Sequence, residues 1–162
     1  MWDSCGQFAA SRLNQDELFR RTESQTRLML RRGPDDEGYW TDRGWCALGF
    51  RRLAILDLTA AGHQPMVSAD GRSVIVCNCE LYNFPELRRE LEAEGVRFRS
   101  RTDTEVVLEA LNRWGESAVE RFKGRFAFGR YRMAGGARCS DGAGRALRLE
   151  RGGRQPTSET SE

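Results

Sequence analysis

Apolar residues recur at helical spacing in three parts of the chain and alternate or cluster at strand length between them. Residues 12 to 32 predict a helix: Asn14 caps it, Glu17 stands three residues on, and Leu18, Leu28 and Leu30 form its apolar face. The turn residues from Arg32 to Gly38 end it. Short strands are expected at Tyr39–Trp40 and Trp45–Gly49, around a turn at 42–44, and Arg52 to Leu56 is a further apolar run. Asp70-Gly71 predicts a hairpin into a strand at 73–78 that is apolar on both faces.

An amphipathic helix is expected from Phe84 to Gly95, with Pro85 in its first turn, Leu87 and Leu91 buried and Gly95 as its stop. A short strand at 96–98 should follow. Thr102 to Glu105 reads as a capping sequence for a helix carrying Val106, Val107, Leu108, Leu111 and Trp114. One more helix, 116–122, leads to a strand at 126–128. Helices and strands come in groups, and neither a GxGxxG pattern nor a phosphate loop occurs.

The texture changes after Met133. Residues 133–162 hold many glycines and arginines but, beyond Met133 itself, only Leu147 and Leu149 among large apolar side chains, so the segment reads as an irregular tail. Such Arg/Gly/Ala-rich sequence is what a high-GC gene yields when read in a wrong frame.

Composition changes this picture little. The 162 residues suit one domain with a tail, and 39% hydrophobic with 31% charged residues is ordinary for a soluble protein. No apolar run approaches the ~18 residues of a membrane span, and the first residues lack the form of a secretory signal, so a cytoplasmic address is expected. Twenty-six basic and 24 acidic residues are interspersed, which argues against a nucleic-acid partner. Lys123 is the sole lysine, a skew that points to codon bias rather than to electrostatics.

Five cysteines form no paired framework, and the only close pair is Cys77-Asn78-Cys79. Two thiols two residues apart on a strand share a face. With His63 the only histidine, a zinc site is a poor fit, and the expectation is two thiols packed as small hydrophobes, with no metal.

Several ordered segments resemble one family. They are Arg32 to Gly38, Leu48 to Leu58, Gly62-His63-Gln64-Pro65-Met66, Asn78 to Phe84 and Thr102 to Val106. They resemble the glutaminase domain of glutamine-hydrolysing asparagine synthetases, a type-2 glutamine amidotransferase, whose pattern there reads RGPDDEG, LGHRRLSIIDL, GHQPM, NGEIYNF and SDTEV. Gly124 with Phe126-Ala127-Phe128 fits a further family segment. Five ordered motifs are far more specific than a single short pattern.

The resemblance implies an α+β fold, the four-layer αββα sandwich of the N-terminal-nucleophile hydrolases, here with its C-terminal strands missing. It implies hydrolysis of L-glutamine to glutamate and ammonia by a cysteine whose own α-amine is the general base. That cysteine would be Cys5. Residues 1–4 then stand either as a leader to be removed or as the mark of a different true start, the amidotransferase domain runs from 5 to 132, and 133–162 is the tail. Arg52 would pair with the substrate α-carboxylate, Asp103 would hold its α-ammonium, and Leu53, Ala54, Ile55 and Leu56 would line the pocket through their main chain. Asn78 would offer its side-chain amide and Cys79 its backbone N–H to the oxyanion, beside a matching Glu80.

Taken singly, Arg52 is one arginine of 25 and Asp103 a helix cap; the ordered motifs give them their roles. Cys79 stands where the family has glycine, so its Cβ is expected to crowd the substrate or to oppose the backbone angle. Phe50 and Arg31 also depart from the pattern. No cofactor is expected in this chain; ATP and Mg would belong to a synthetase domain, a partner outside it. Two further readings stand beside the truncated enzyme: a glutamine-binding module without catalysis, and a non-functional gene fragment.

Overall fold

The computed structural model describes residues 2–8, 13–42, 44–52, 62–133, 136–141 and 146–149. Two antiparallel sheets face one another. The first has the order β1-β3-β2, from β1 (Trp2–Phe8), β2 (Asp36–Asp42) and β3 (Cys46–Arg52). The second has the order β4-β5-β6-β7-β8, from β4 (Met66–Val67), β5 (Ser73–Leu81), β6 (Gly124–Arg132), β7 (Gly136–Asp141) and β8 (Ala146–Leu149). Helix α1 (Gln15–Leu28) covers the first sheet, and α2 (Phe84–Ala93) with α3 (Asp103–Trp114) covers the second. The layers run αββα.

The pleat explains the layering, because alternate residues of each strand serve different cores. Leu48 and Phe50 of β3 meet Val74 and Val76 of β5 and Tyr131 of β6 between the sheets. Tyr131 also donates its hydroxyl to Asp42, tying β6 to β2. Ile75, Cys77, Cys79 and Leu81, on the other face of β5, pack under Leu87, Leu91, Val106, Val107 and Leu111 of the two helices.

The α1 face differs from the expected one. Asn14 caps the helix by accepting from the Asp16 N–H at 2.8 Å, but Leu28 and Leu30 are 85% and 50% exposed. Leu18, Thr22 and Thr26, spaced four apart, make the buried stripe. The two threonines can lie there because each hydroxyl donates to the carbonyl four residues earlier, at 3.0 and 2.8 Å.

Two other expectations change. Residues 96–98 are not a strand; Val96 and Phe98 pack singly against the helical core. Residues 133–162 are not irregular throughout, and the sheet does not stop at β6, since β7 and β8 extend it from Arg132↔Gly136 to Ala137↔Leu149. The missing apolar pattern misled because a strand joins an open edge through its backbone N–H and C=O groups, which every residue but proline carries. Among the described residues, no helix is long and apolar enough to cross a membrane.

Candidate functional site

The segment 62–66 connects the two sheets, and it does so through Gln64. The Cys77 N–H donates to Gln64 Oε1 at 2.6 Å, and Gln64 Nε2 donates to the Cys77 carbonyl at 3.0 Å and to Thr104 Oγ1 at 3.3 Å. The fully buried side chain thus pairs with β5 just beyond Met66↔Ile75, the rung at which β4 begins. Its neighbours reach the other sheet. His63 Nδ1 lies 3.0 Å from Asp36 Oδ2, and the buried Arg52 guanidinium lies 3.1–3.2 Å from where a Cβ on Gly62 would stand. Glycine at 62 therefore makes room for the arginine. Asp36 is the register partner of Arg52, so His63 and Gly62 both sit at the end of β3.

Alternate residues of β5 turn their N–H groups to the same sheet edge. On the edge away from β6, the Cys77 N–H is taken by Gln64 and the Leu81 N–H faces Asp103 Oδ2 at 3.5 Å. The Cys79 N–H points out between them, where no strand pairs among the described residues. The Asn78 side chain lies on the opposite face from the Cys77 and Cys79 side chains, on the face of Val74 and Val76, and is exposed. Asn78 and Cys79 thus present a side-chain amide and a main-chain N–H at one corner of the second sheet.

Two carboxylates border that corner. Asp103 opens α3, and burial pushes its carboxyl above the ordinary range, against the lowering effect of the Leu81 N–H; the Glu80 charge raises it further. The loop before Asp103 is fixed by Glu105, which is buried. Its carboxylate accepts from the Arg99 N–H at 2.8 Å, the Ser100 N–H at 2.6 Å and the Ser100 hydroxyl at 2.6 Å. Thr102 Oγ1 caps the helix by accepting from the Glu105 N–H at 3.3 Å.

The structure brings Asn78, Cys79, Glu80 and Asp103 together, and the 62–66 segment links them to Arg52. Leu53, Ala54, Ile55 and Leu56 lie outside the described residues. Cys5 is held apart. It pairs with Gly49 in the interior of β1, and its thiol points under α1, 3.2 Å from Thr26 Oγ1 and 3.8 Å from the Thr22 carbonyl. Burial pushes the thiol's pKa up, while the bonds from Thr26 and Gly49 oppose the rise. Trp2 to Ser4 carry the ladder past it, opposite Arg52 to Phe50. With residues on both sides, the direction of Cys5 is set by the pleat.

The expectations for position 79 and for the cysteine pair are corrected. The Cys79 side chain does not enter the Asn78 face; it is buried under α3, with Sγ 3.9 Å from Thr104 Oγ1. Cys77 and Cys79 are not free thiols but form a disulfide. From sequence, Gln64 has no assigned role and Glu105 stands only in the helix cap, whereas its carboxylate holds Arg99 and Ser100. Their signal was a polar residue flanked by buried positions.

A family model described as the glutamine amidotransferase domain matches residues 4–137. The chain belongs to the glutamine amidotransferase family. Over 119 residues it is 40% identical to asparagine synthetase [glutamine-hydrolyzing] 1 of Bacillus subtilis, covering 74% of this chain and 18% of that protein. It is 35% identical over 126 residues to the asparagine synthetase [glutamine-hydrolyzing] of Asparagus officinalis, covering 76% and 21%. Among solved structures, the glutamine phosphoribosylpyrophosphate amidotransferase from B. subtilis aligns with a TM-score of 0.51 at 23% identity, over 61% of this chain and 23% of that one. That likeness shows the N-terminal-nucleophile hydrolase fold. The chain spans about a fifth of the curated relatives it matches, and what it corresponds to is their amidotransferase domain.

Proposed function

We propose that this domain hydrolyses L-glutamine to glutamate and ammonia, as the nitrogen-donating part of an asparagine synthetase-like enzyme. The observation that carries the reading is the corner of β5, where the Asn78 amide and the outward Cys79 N–H stand beside the Asp103 carboxylate. A carboxylate beside two hydrogen-bond donors suits a substrate with an ammonium at one end and a carbonyl that becomes an oxyanion at the other. Arg52, seated against Gly62, supplies a planar fork for the α-carboxylate. The main chain of Leu53 to Leu56 would close the pocket.

In the reaction the Cys5 sulfur attacks the carboxamide carbon, ammonia leaves, and water cleaves the resulting thioester to glutamate. The attack needs a base for the thiol proton. An α-amine on Cys5 can serve, and it arises only when the bond between Ser4 and Cys5 is cut, since in β1 the Cys5 nitrogen is an amide. The cut also ends the ladder at Cys5 and frees its direction. Ammonia would pass to a synthetase domain or chain that holds ATP and Mg, in a cytoplasmic setting.

The test combines a mass spectrum of the native N-terminus with glutaminase assays of the same sample. Activity confined to chains that begin at Cys5 and abolished by Cys5→Ala supports the reading. Activity in a chain still carrying residues 1–4 would overturn the α-amine mechanism. Saturable glutamine binding without hydrolysis in a chain beginning at Cys5 would leave a binding module instead.

A further inference from the structure

The Cys77–Cys79 disulfide straddles Asn78, and its geometry bears on the oxyanion corner. The two Cα atoms are 5.5 Å apart. Residues two apart on an extended strand are separated by about 6.8 Å. The pairing with β6 nevertheless runs without a break from Cys77↔Phe128 through Asn78↔Ala127 to Cys79↔Phe126. The shortening is thus taken up by a deeper pleat. With neighbouring Cα atoms about 3.8 Å apart, Asn78 is lifted about 0.9 Å further from the line joining its neighbours than in an extended strand. The lift is toward the face that carries its side chain.

We propose that this cysteine pair is a redox site that switches the oxyanion corner: oxidised, it holds Asn78 out of register with the Cys79 N–H; reduced, it lets them converge. The inference rests on the hydrolytic reading above. Three observations support it. The Cys77 main chain is clamped on one side by both bonds from Gln64, so the distortion cannot relax in that direction. The Cys79 N–H is directed along the sheet edge, whereas the lift of Asn78 is perpendicular to the sheet, so the lift separates the two donors. In this oxidised state Asn78 is exposed, whereas a donor to an oxyanion acts most strongly where water is excluded.

The electron balance is that of thiol–disulfide exchange. A dithiol reductant attacks Cys79 Sγ, the sulfur of the more exposed partner at 7% against 0% for Cys77. The S–S bond breaks, the mixed disulfide is resolved by the second thiol of the reductant, and Cys77 and Cys79 gain two electrons and two protons. The reductant closes its own disulfide. A small disulfide compound reverses the step.

A displacement near 1 Å at a reacting centre can cost about 10²-fold in rate. The chain as purified, in whichever N-terminal form shows glutaminase, is equilibrated with a dithiol or with a disulfide oxidant. Differential alkylation and peptide mapping then read the state of Cys77 and Cys79. The expected result is a mapped disulfide in the oxidised sample and at least a tenfold higher kcat in the reduced one, with KM within a few-fold. Cys77→Ala, or Cys77→Val if alanine unfolds the chain, should match the reduced protein in both buffers. Redox sensitivity that persists in those variants would place the effect at a cysteine outside the pair and overturn the proposal. Equal kcat in the two mapped states overturns the switch while leaving the hydrolytic reading intact. Absence of glutaminase in every form and variant overturns both.

Discussion

Gln64 and Cys77 exchange two hydrogen bonds that imitate one rung of a β-ladder, with a side-chain amide extending the ladder ahead of the strand that begins at Met66. An amide is the one side chain that carries a donor and an acceptor at peptide spacing. The pair also continues to Thr104 of α3, so one residue joins the strand, the linking segment and the helix.

Gln64→Leu should therefore strand a buried N–H and a buried C=O at similar side-chain volume. Each orphaned group costs about 1–3 kcal/mol, so a loss of about 2–5 kcal/mol is expected in urea unfolding. A midpoint within error of the parent would show that water replaces the amide at no cost.

Gly62→Ala tests the seat of Arg52. The added Cβ would lie 3.1–3.2 Å from the guanidinium, and the neighbouring atom must give way. Both residues are buried, so the added methyl overpacks the site and stability should fall by about 1–3 kcal/mol. Glutamine binding should weaken by at least tenfold, measured calorimetrically. Weakening of neither, or loss of folding alone, would separate Arg52 from the substrate.

How much of this was legible in the chain depends on what each residue must do. The order of layers was legible only through the family resemblance, because Cys46–Arg52 and residues 73–77 are buried on both faces and show no in-out alternation. The α1 stripe was missed because Thr22 and Thr26 hide their polarity in bonds to their own helix. Strands β7 and β8 were missed because backbone pairing leaves no side-chain pattern. The two cysteines share one face of β5 as their spacing implies, but spacing alone does not separate two thiols from a disulfide. Asn78, Glu80 and Asp103 were legible as a group only through the family pattern, since each is a common surface residue type. The direction of Cys5 depends on whether residues precede it, which is chemistry after translation rather than pattern.

Glu105→Gln probes the loop ahead of Asp103. The carboxylate accepts three bonds from Arg99 and Ser100, and a glutamine oxygen can keep at most part of that set. Bonds to a charged acceptor contribute about 1.5–3 kcal/mol each, so a destabilisation of about 2–4 kcal/mol is expected by chemical unfolding. In the folded fraction, KM for glutamine should rise severalfold with kcat little changed, because the loop positions the group that holds the ammonium and not the reacting carbon. An equal fall in kcat and kcat/KM would assign Glu105 to the transition state instead.

The Cys5 thiol offers a pH test. Burial raises its pKa above the ordinary cysteine value, and alkylation requires the thiolate. Iodoacetamide should therefore modify Cys5 more slowly than a cysteine in an unstructured peptide at pH 8, with the rate still climbing at pH 9.5. Thr26→Val removes a bond that favours the thiolate, at 3.2 Å, and should slow the reaction further. Faster labelling in that variant would mean that α1 had opened rather than that the thiol had been tuned.

Asp103→Asn sets stability against function at one atom. Burial raises the Asp103 carboxyl above its unfolded value, so between those two pKa values the folded chain binds more protons than the unfolded one. Stability contributed at this site is therefore greatest at low pH and declines as pH rises through that window. At pH 7 the charged carboxylate is a net burden, partly offset by the Leu81 N–H at 3.5 Å. Asparagine keeps an oxygen for that N–H and carries no charge. The variant should consequently unfold at a higher temperature than the parent at pH 7, and the difference should shrink as the pH falls toward 4. Glutamine binding should move the other way, weakening at least tenfold, because the loss of a charged hydrogen bond amounts to about 1.5–3 kcal/mol. A less stable variant with unchanged binding would show that Asp103 serves only as the first residue of α3. A more stable variant with unchanged binding would mean that Glu80, on the adjacent strand, holds the ammonium by itself.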